Sequence, residues 1–499
     1  MIYKTEIMST YINKGIVTII CILAILMPAC KKFVTVGEQE TAMGEKATFE
    51  KEQTATAALL DVYSSVYNMF GSTGGLCLTK INAMYADEYT LTNTDASLMQ
   101  LHTNSLDAVN IYVRGFWNGS YTAIYKINAV LENIEKYGSA IPAASRDQLT
   151  GEARFLRAFS YLLLVNVYGD VPVLLTPDYR QNMKAARTPR ADVYKQIIAD
   201  LQEAEKLLNA GYLDDKNVPG AMRLRPNKDV ATALLARVYL YNRMWEEAEK
   251  AATTIINKHN VYALETDPGR VFSINSKEAI HQMATNNRVA YPGIAIAFEL
   301  TGAPTTTGAG MGIGVLSNSL LSRFEPGDNR RSAAWVGTST ANGNTYYFPH
   351  KYRSGTVLTQ YFTTIRLAEM YLIRAEAFIQ QDQVENGVAD LNVIRRRARA
   401  QADAQVPDPL PDLSLTLAKK EALLAVEQER RVELFMEGHR WFDLKRWNGI
   451  ENPAVSRAEE LMPAITTAKG GSWESYKMLF PLPQNEVLLN TNLEQNDEY

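Results

Sequence analysis

Cys30 is the residue whose setting points most directly to chemistry. It ends the run Leu26-Met27-Pro28-Ala29-Cys30, which closes an apolar stretch, Ile16–Met27, with Thr18 its one clearly polar residue. A helix of that length rises about 18 Å, short of the roughly 30 Å hydrocarbon core of a bilayer. The stretch suits the apolar core of an export signal better than a membrane span. A small residue followed by cysteine at that point looks like a lipoprotein signal, whose cysteine thiol is lipidated and becomes the first mature residue. Met27 and Pro28 stand where the common pattern has leucine and a small residue. A plain signal peptide cut nearby, or a short membrane anchor, stays open as an alternative. The expected organisation is a signal peptide over 1–29, a flexible polar tether over 30–53 and one body over 54–499.

Other reactive groups are sparse. Of the three cysteines, Cys21 lies in the signal and Cys77 is alone in the body, so no framework of disulfides is expected. The five histidines (His102, His259, His281, His350, His439) are scattered, and no His-Glu-x-x-His, Walker-type phosphate loop, Gly-x-Ser-x-Gly elbow or Cys-x-x-Cys occurs. No catalytic residue, metal set or cofactor is assigned. A carboxylate pair for glycoside hydrolysis needs only proximity in space, and among 55 acidic residues a pair carries no information.

The elements that must position any site are mainly helical. Over 499 residues, 46% apolar and 21% charged content is that of a folded body, and a net charge of −4 argues against nucleic acid as a partner. Apolar residues recur at helical spacing over Ala57–Phe70, Ala108–Lys136, Ser145–Tyr168 and from Thr188-Pro189 through Leu208. Two helix pairs follow: Lys228–Tyr241 with Trp245–Lys258, and Arg366–Gln381 with Val384–Ala400. Small residues such as Ala233, Ala236, Ala248, Ala375 and Gly387 let paired helices approach closely, a spacing that resembles a tetratricopeptide unit. Two pairs are too few for an independent stack, so other helices must complete it. Between them, about 261–360 is rich in Gly, Thr, Ser and Asn, with Glu278–Ala284 and Thr345–Tyr352 as possible short strands. A long irregular insert in a helical scaffold points to function.

One segment is specific. Glu427–Trp447 contains Arg430-Arg431-Val432-Glu433-Leu434, Glu437-Gly438, Arg440-Trp441-Phe442-Asp443-Leu444 and Arg446-Trp447. Trp441, Phe442, Leu444 and Trp447 supply an apolar anchor. Arg430, Arg431, Glu433, Glu437, Arg440, Asp443 and Arg446 can form an ion-pair lattice, and Gly438 suits a helix stop. The segment resembles the signature of the SusD/RagB family of surface nutrient-binding lipoproteins, as a structural block and not as a binding site. Glu152 through Arg157 to Tyr168-Gly169-Asp170-Val171-Pro172 resembles a second family stretch. Trp117, Tyr121, Ile124 and Asn128 match the helix before it, and Arg366 through Ala377 matches a further core helix. Leu479 through Asn496 resembles the family's C-terminus, which usually closes Asn-Pro-Gly-Tyr; here it closes Asn496-Asp497-Glu498-Tyr499.

The resemblance implies a mainly α fold: tetratricopeptide-like helix pairs form a scaffold, and an irregular region with short strands forms the ligand face. It also implies a protein lipid-anchored at the outer-membrane surface. Such a protein is not an enzyme. It captures a ligand, usually an oligosaccharide, for a SusC-like TonB-dependent transporter, against which the helix pairs pack. A peptide or other nutrient is the second reading, and a surface glycosidase the third. Sugar capture calls for aromatic rings flanked by amides on non-helical segments. Met84–Asn104 offers Tyr85 and Tyr89; Arg323–Tyr361 offers Trp335, Tyr346, Tyr347, Asn342 and Asn344. Asp328 and Arg330 resemble a recurrent Asp-x-Arg of the family and read as structural.

The lipid is testable without knowing the ligand. Cys30→Ala, made in cells lacking the transporter, is expected to leave the membrane fraction. A variant that still sediments with membranes there overturns lipid attachment at Cys30.

Overall fold

A computed structural model of the chain describes residues 44–71, 77–284, 293–307, 311–355, 357 and 359–499. The signal over 1–29, Cys30 and the tether as far as residue 43 lie outside the described residues. The chain divides into a unit ending at Thr48, of which 45–48 are helical, and a body, Phe49–Tyr499. The body therefore starts before residue 54. Phe49 is buried, and Glu52 opens α1 (Glu52–Gly71) while accepting hydrogen bonds from Ser145 Oγ and Asn217 Nδ2, both at 2.7 Å. Polar residues that read as tether here secure a helix end.

The body is mainly helical. After α1 come α2 (Leu78–Tyr85), α3 (Ala96–His102), α4 (Ile111–Tyr137), α5 (Ala143–Tyr168), α6 (Arg190–Leu207), α7 (Lys228–Tyr241) and α8 (Trp245–Ile256). The C-terminal third supplies α9 (Leu367–Gln380), α10 (Val384–Ala398), α11 (Lys419–Glu433), α12 (Arg440–Arg446) and α13 (Arg457–Ala468). The starts follow local chemistry. Asp95, Asn110 and Asn227 cap α3, α4 and α7 through their side-chain oxygens, and Ser456 with Glu459 forms a capping box on α13. Helices α5 to α10 each pack on the next in chain order, and α11 closes on α9 and α10. Both helix pairs read from the sequence are thus present, with α5, α6 and α11 extending the stack. Gly387 shows how tight it is: a Cβ there would lie 2.6 Å from the Ala375 carbonyl oxygen, so no larger residue fits between α9 and α10.

Met84–Asn104 is less irregular than its composition implies. Tyr85 ends α2, and α3 fills Ala96–His102. The irregular insert is tied down by three two-stranded antiparallel sheets. Strand β1 (Tyr89–Leu91) pairs with β3 (Gly314–Leu316), and β2 (Ala279–Met283) pairs with β6 (Phe362–Arg366). Strands β4 (Val336–Ala341) and β5 (Asn344–Pro349) form a hairpin. The strands expected over Glu278–Ala284 and Thr345–Tyr352 correspond to β2 and β5.

Buried ions join these parts. Glu433, at the end of α11, meets Arg366 (2.5 Å), Arg330 (3.2 Å) and Arg397. Arg366 continues to Glu278 and Glu437, each at 2.8 Å. Arg330 continues to Asp328 (2.7 Å) and Glu429 (2.9 Å), and Glu429 to Arg395 (2.6 Å). On the other side of the same block Arg430 meets Asp443 (2.8 Å), Arg446 meets Glu376 (2.5 Å), and Arg431 and Arg440 both meet Asp87 (2.7 and 2.9 Å). All seven charged residues singled out in Glu427–Trp447 are engaged. Trp441 and Leu444 are fully buried beside them, and the Trp447 indole N–H donates to Glu376 at 2.8 Å. The second family stretch works the same way. Glu152 binds Arg225 and the Tyr63 hydroxyl, while Arg157 binds Asp200 and the Asn128 amide oxygen.

Burial alone would raise the Glu433 carboxyl, but Arg397, Arg366 and Arg330 outweigh it and hold that group well below the usual carboxylate range. Asp443 is lowered too, where Arg430 and Arg446 outweigh burial. A depressed carboxyl contributes stability that is present above the unfolded value of about 4 and is lost as pH falls towards the folded value. Denaturant unfolding is therefore expected to show stability falling as pH drops below about 4. Glu433→Gln is expected to cost about 3–5 kcal/mol near neutral pH, since it leaves buried guanidiniums short of charge. A loss under about 1 kcal/mol would place the lattice outside the main sources of stability.

Candidate functional site

The structure separates the seven ring and amide residues proposed for ligand contact. Three of them are core. Trp335 has no exposed surface; its indole N–H donates to the Pro268 carbonyl at 2.8 Å. The Lys351 amine lies 4.4 Å from the ring centre, with the Arg397 and Arg366 guanidiniums at 5.6 and 5.8 Å. The negative face of the ring is occupied by the cations of the buried lattice, so it cannot stack on a sugar. Tyr85 is also fully buried, donates to the Lys477 carbonyl at 2.7 Å and packs on Trp441 at 4.9 Å. Tyr89 is buried between Phe298 and the Lys80 side chain, at 5.8 and 5.6 Å. In a loop-like sequence these rings look available. A helix end, a sheet and a cation cage absorb them.

The other four lie together on the β4–β5 hairpin. Asn342 (φ 52°) and Gly343 (φ 76°) form its two-residue turn, the left-handed pair that matches the twist of the strands. The strands pair in register, Thr338 opposite Tyr347, Ser339 opposite Tyr346 and Ala341 opposite Asn344. Adjacent residues of a strand point to opposite faces, so Tyr346 and Tyr347 do not form one platform. Tyr347 is half-buried against the core and carries the Arg331 guanidinium 4.5 Å above its ring. Tyr346 is half-buried on the other face, which it shares with exposed Asn344. Asn342 is exposed at the tip. The hairpin base is rigid: Ser339 Oγ donates to the Gly302 carbonyl at 2.9 Å, and a Cβ at Gly337 would meet the Phe348 ring at 2.4 Å. The arrangement presents one partly exposed ring and two amides to solvent. It can stack and hydrogen-bond; it holds no nucleophile with an adjacent base.

Exposed rings also occur outside both loop segments. Tyr125, on α4, is 54% exposed and Tyr179 is 65% exposed. The signal that finds Tyr125 is the recurrence of Trp117, Tyr121 and Tyr125 at every fourth residue, which a reading confined to loops passes over. Asp328 and Arg330 are lattice members, as the sequence indicates. Among the described residues no cluster of three or more His, Cys, Asp or Glu side chains could hold a metal ion. No helix among them is long and apolar enough to cross a membrane.

Comparison with known proteins agrees with this fold. Residues 304–499 match the family model described as the SusD family, and residues 45–240 match one described as starch-binding associating with outer membrane. The SusD-like protein P2 of Formosa agariphila is 26% identical over 430 residues, covering 78% of this chain and 81% of its own. A SusD superfamily protein from Parabacteroides distasonis superposes with a TM-score of 0.75 at 21% identity, over 90% of this chain and 100% of that one. A laminarin-binding SusD-like protein superposes with a TM-score of 0.68 at 22% identity, over 89% and 99%. The SusD family model covers 304–499, including the buried signature, and the starch-binding model covers 45–240: over these two segments the chain is similar to the SusD/RagB family.

Proposed function

We propose that this protein is a non-catalytic, lipid-anchored glycan-binding protein of the outer-membrane surface, which passes an oligosaccharide to a SusC-like TonB-dependent transporter. The observation that carries the reading is the pair of family matches at the two ends of the body, one to a model described as the SusD family and one to a model described as starch-binding associating with outer membrane, with one structural neighbour described as laminarin-binding. The β4–β5 hairpin suits a capture surface. Tyr346 offers a partly exposed ring, and Asn342 and Asn344 offer amides whose donors and acceptors match sugar hydroxyls. A rigid, half-buried base under an exposed tip needs little ordering on binding. Cys30 supplies the lipid. The polar stretch after it gives the body reach towards a transporter in the same membrane.

Calorimetry of the body from Ala42 onward against soluble starch fragments, laminarin and peptides tests this reading. Binding of a glycan without turnover is expected, and Tyr346→Ala is expected to weaken it about fivefold to tenfold at unchanged melting temperature. Trp335→Ala is expected to cost about 3–5 kcal/mol of stability, the mark of a core ring. Peptide binding with no glycan binding would overturn the proposal, and hydrolysis of a bound glycan would overturn its non-catalytic part.

A further inference from the structure

Helix α4 walls a groove that lies apart from the hairpin residues. Trp117, Tyr121 and Tyr125 recur every fourth residue and so share one helix face. Trp117 is buried beneath the row and packs on Tyr121 at 4.8 Å between ring centres. Tyr121 is half-buried, and its hydroxyl is spent on the Pro172 carbonyl at 2.9 Å, which fixes the ring. Tyr125 stands 54% exposed at the end of the row. Beside these rings the groove encloses about 680 Å³, within the size range of small-ligand sites.

Its polar groups decide what would fill it. Asn118 and Thr122 flank the rings and are exposed, and Glu486 and Asn182 also line the groove. The side chains of Asn118, Thr122 and Glu486 make no hydrogen bond within the described residues. Asn182 spends only its Nδ2, on the Thr176 carbonyl at 2.8 Å, which leaves its amide oxygen as an acceptor. Burying such groups under an apolar protein surface would leave them unsatisfied, at a cost for each. A pyranose has a C–H face that packs on a tyrosine ring and hydroxyls that both donate and accept.

We propose that this groove is a second pyranose-binding subsite, built on the helical scaffold and separate from the hairpin. It rests on the glycan-binding reading above. A long polysaccharide could then engage two sites of one molecule, and each weak contact would raise the retention of the other.

The full-length lipidated protein in detergent, with maltoheptaose and laminarin as probes, tests the proposal by hydrogen exchange and calorimetry. One of the two glycans is expected to slow amide exchange at residues flanking the groove, 117–125 and 486–493. The double variant Asn118→Ala/Tyr125→Ala is expected to bind that glycan about tenfold more weakly, at unchanged melting temperature. Wild-type affinity in this variant, with no protection along α4, overturns the subsite and leaves the glycan reading standing. Failure of the wild type to bind either probe counts against both. Protection of the groove only when a transporter is added would assign it to a protein partner and overturn the subsite.

Discussion

The structure depends on satisfying a set of charges that the fold takes out of water. Glu433, Arg366 and Arg330 are fully buried, and each has at least two partners of opposite charge from distant parts of the chain. An isolated ion in such a place would cost several kcal/mol, and the cost is offset only when its partners arrive in good geometry. Strand β6, the ends of β2 and α11, the Asp328–Arg330 turn and the Arg395–Arg397 segment must therefore meet at one place. This makes the lattice a constraint on topology more than a simple source of stability. It accepts one arrangement of helices and insert and leaves unpaired charges in others.

The same constraint shapes the β4–β5 hairpin. Trp335 begins the ascent into β4, and its ring is enclosed by Lys351, Arg366 and Arg397. Beyond it the strands leave the core, their burial falling from the Val336 and Pro349 end towards the Asn342-Gly343 turn. The hairpin is thus a projection from the most tightly held part of the molecule. Tyr346 and the two amides are carried on strands whose buried end packs beside that lattice. The aromatic row on α4 has the same character, since Tyr121 is held from behind by Trp117 and from its hydroxyl by Pro172.

Much of this was legible in the residues. Helical periodicity placed the main helices within a few residues because their cores are amphipathic and their caps local, as at Asn110 and Asn227. The Glu427–Trp447 block announced both the family and the lattice, since so many charges beside Trp441 and Leu444 can be buried only as pairs. Strands β2 and β5 were visible as short apolar or aromatic runs. The tether boundary was missed because Glu52 is polar and has its partners at Ser145 and Asn217, far along the chain.

Exposure of the rings was another matter. Tyr85, Tyr89 and Trp335 sit in sequences as polar and irregular as those around Tyr346, and no local pattern distinguishes them. Their burial comes from Trp441, Phe298 and Lys351, which are distant or unremarkable in the chain. Likewise, that Tyr346 and Tyr347 face opposite ways follows from strand pairing, and that Tyr125 overlooks an open groove follows from what the neighbouring segments leave uncovered. Family, helices and charge pairing are carried by patterns within a segment or by the need to pair buried charges. Which aromatic faces reach solvent is set by the packing of remote segments, and only the tertiary structure decides it.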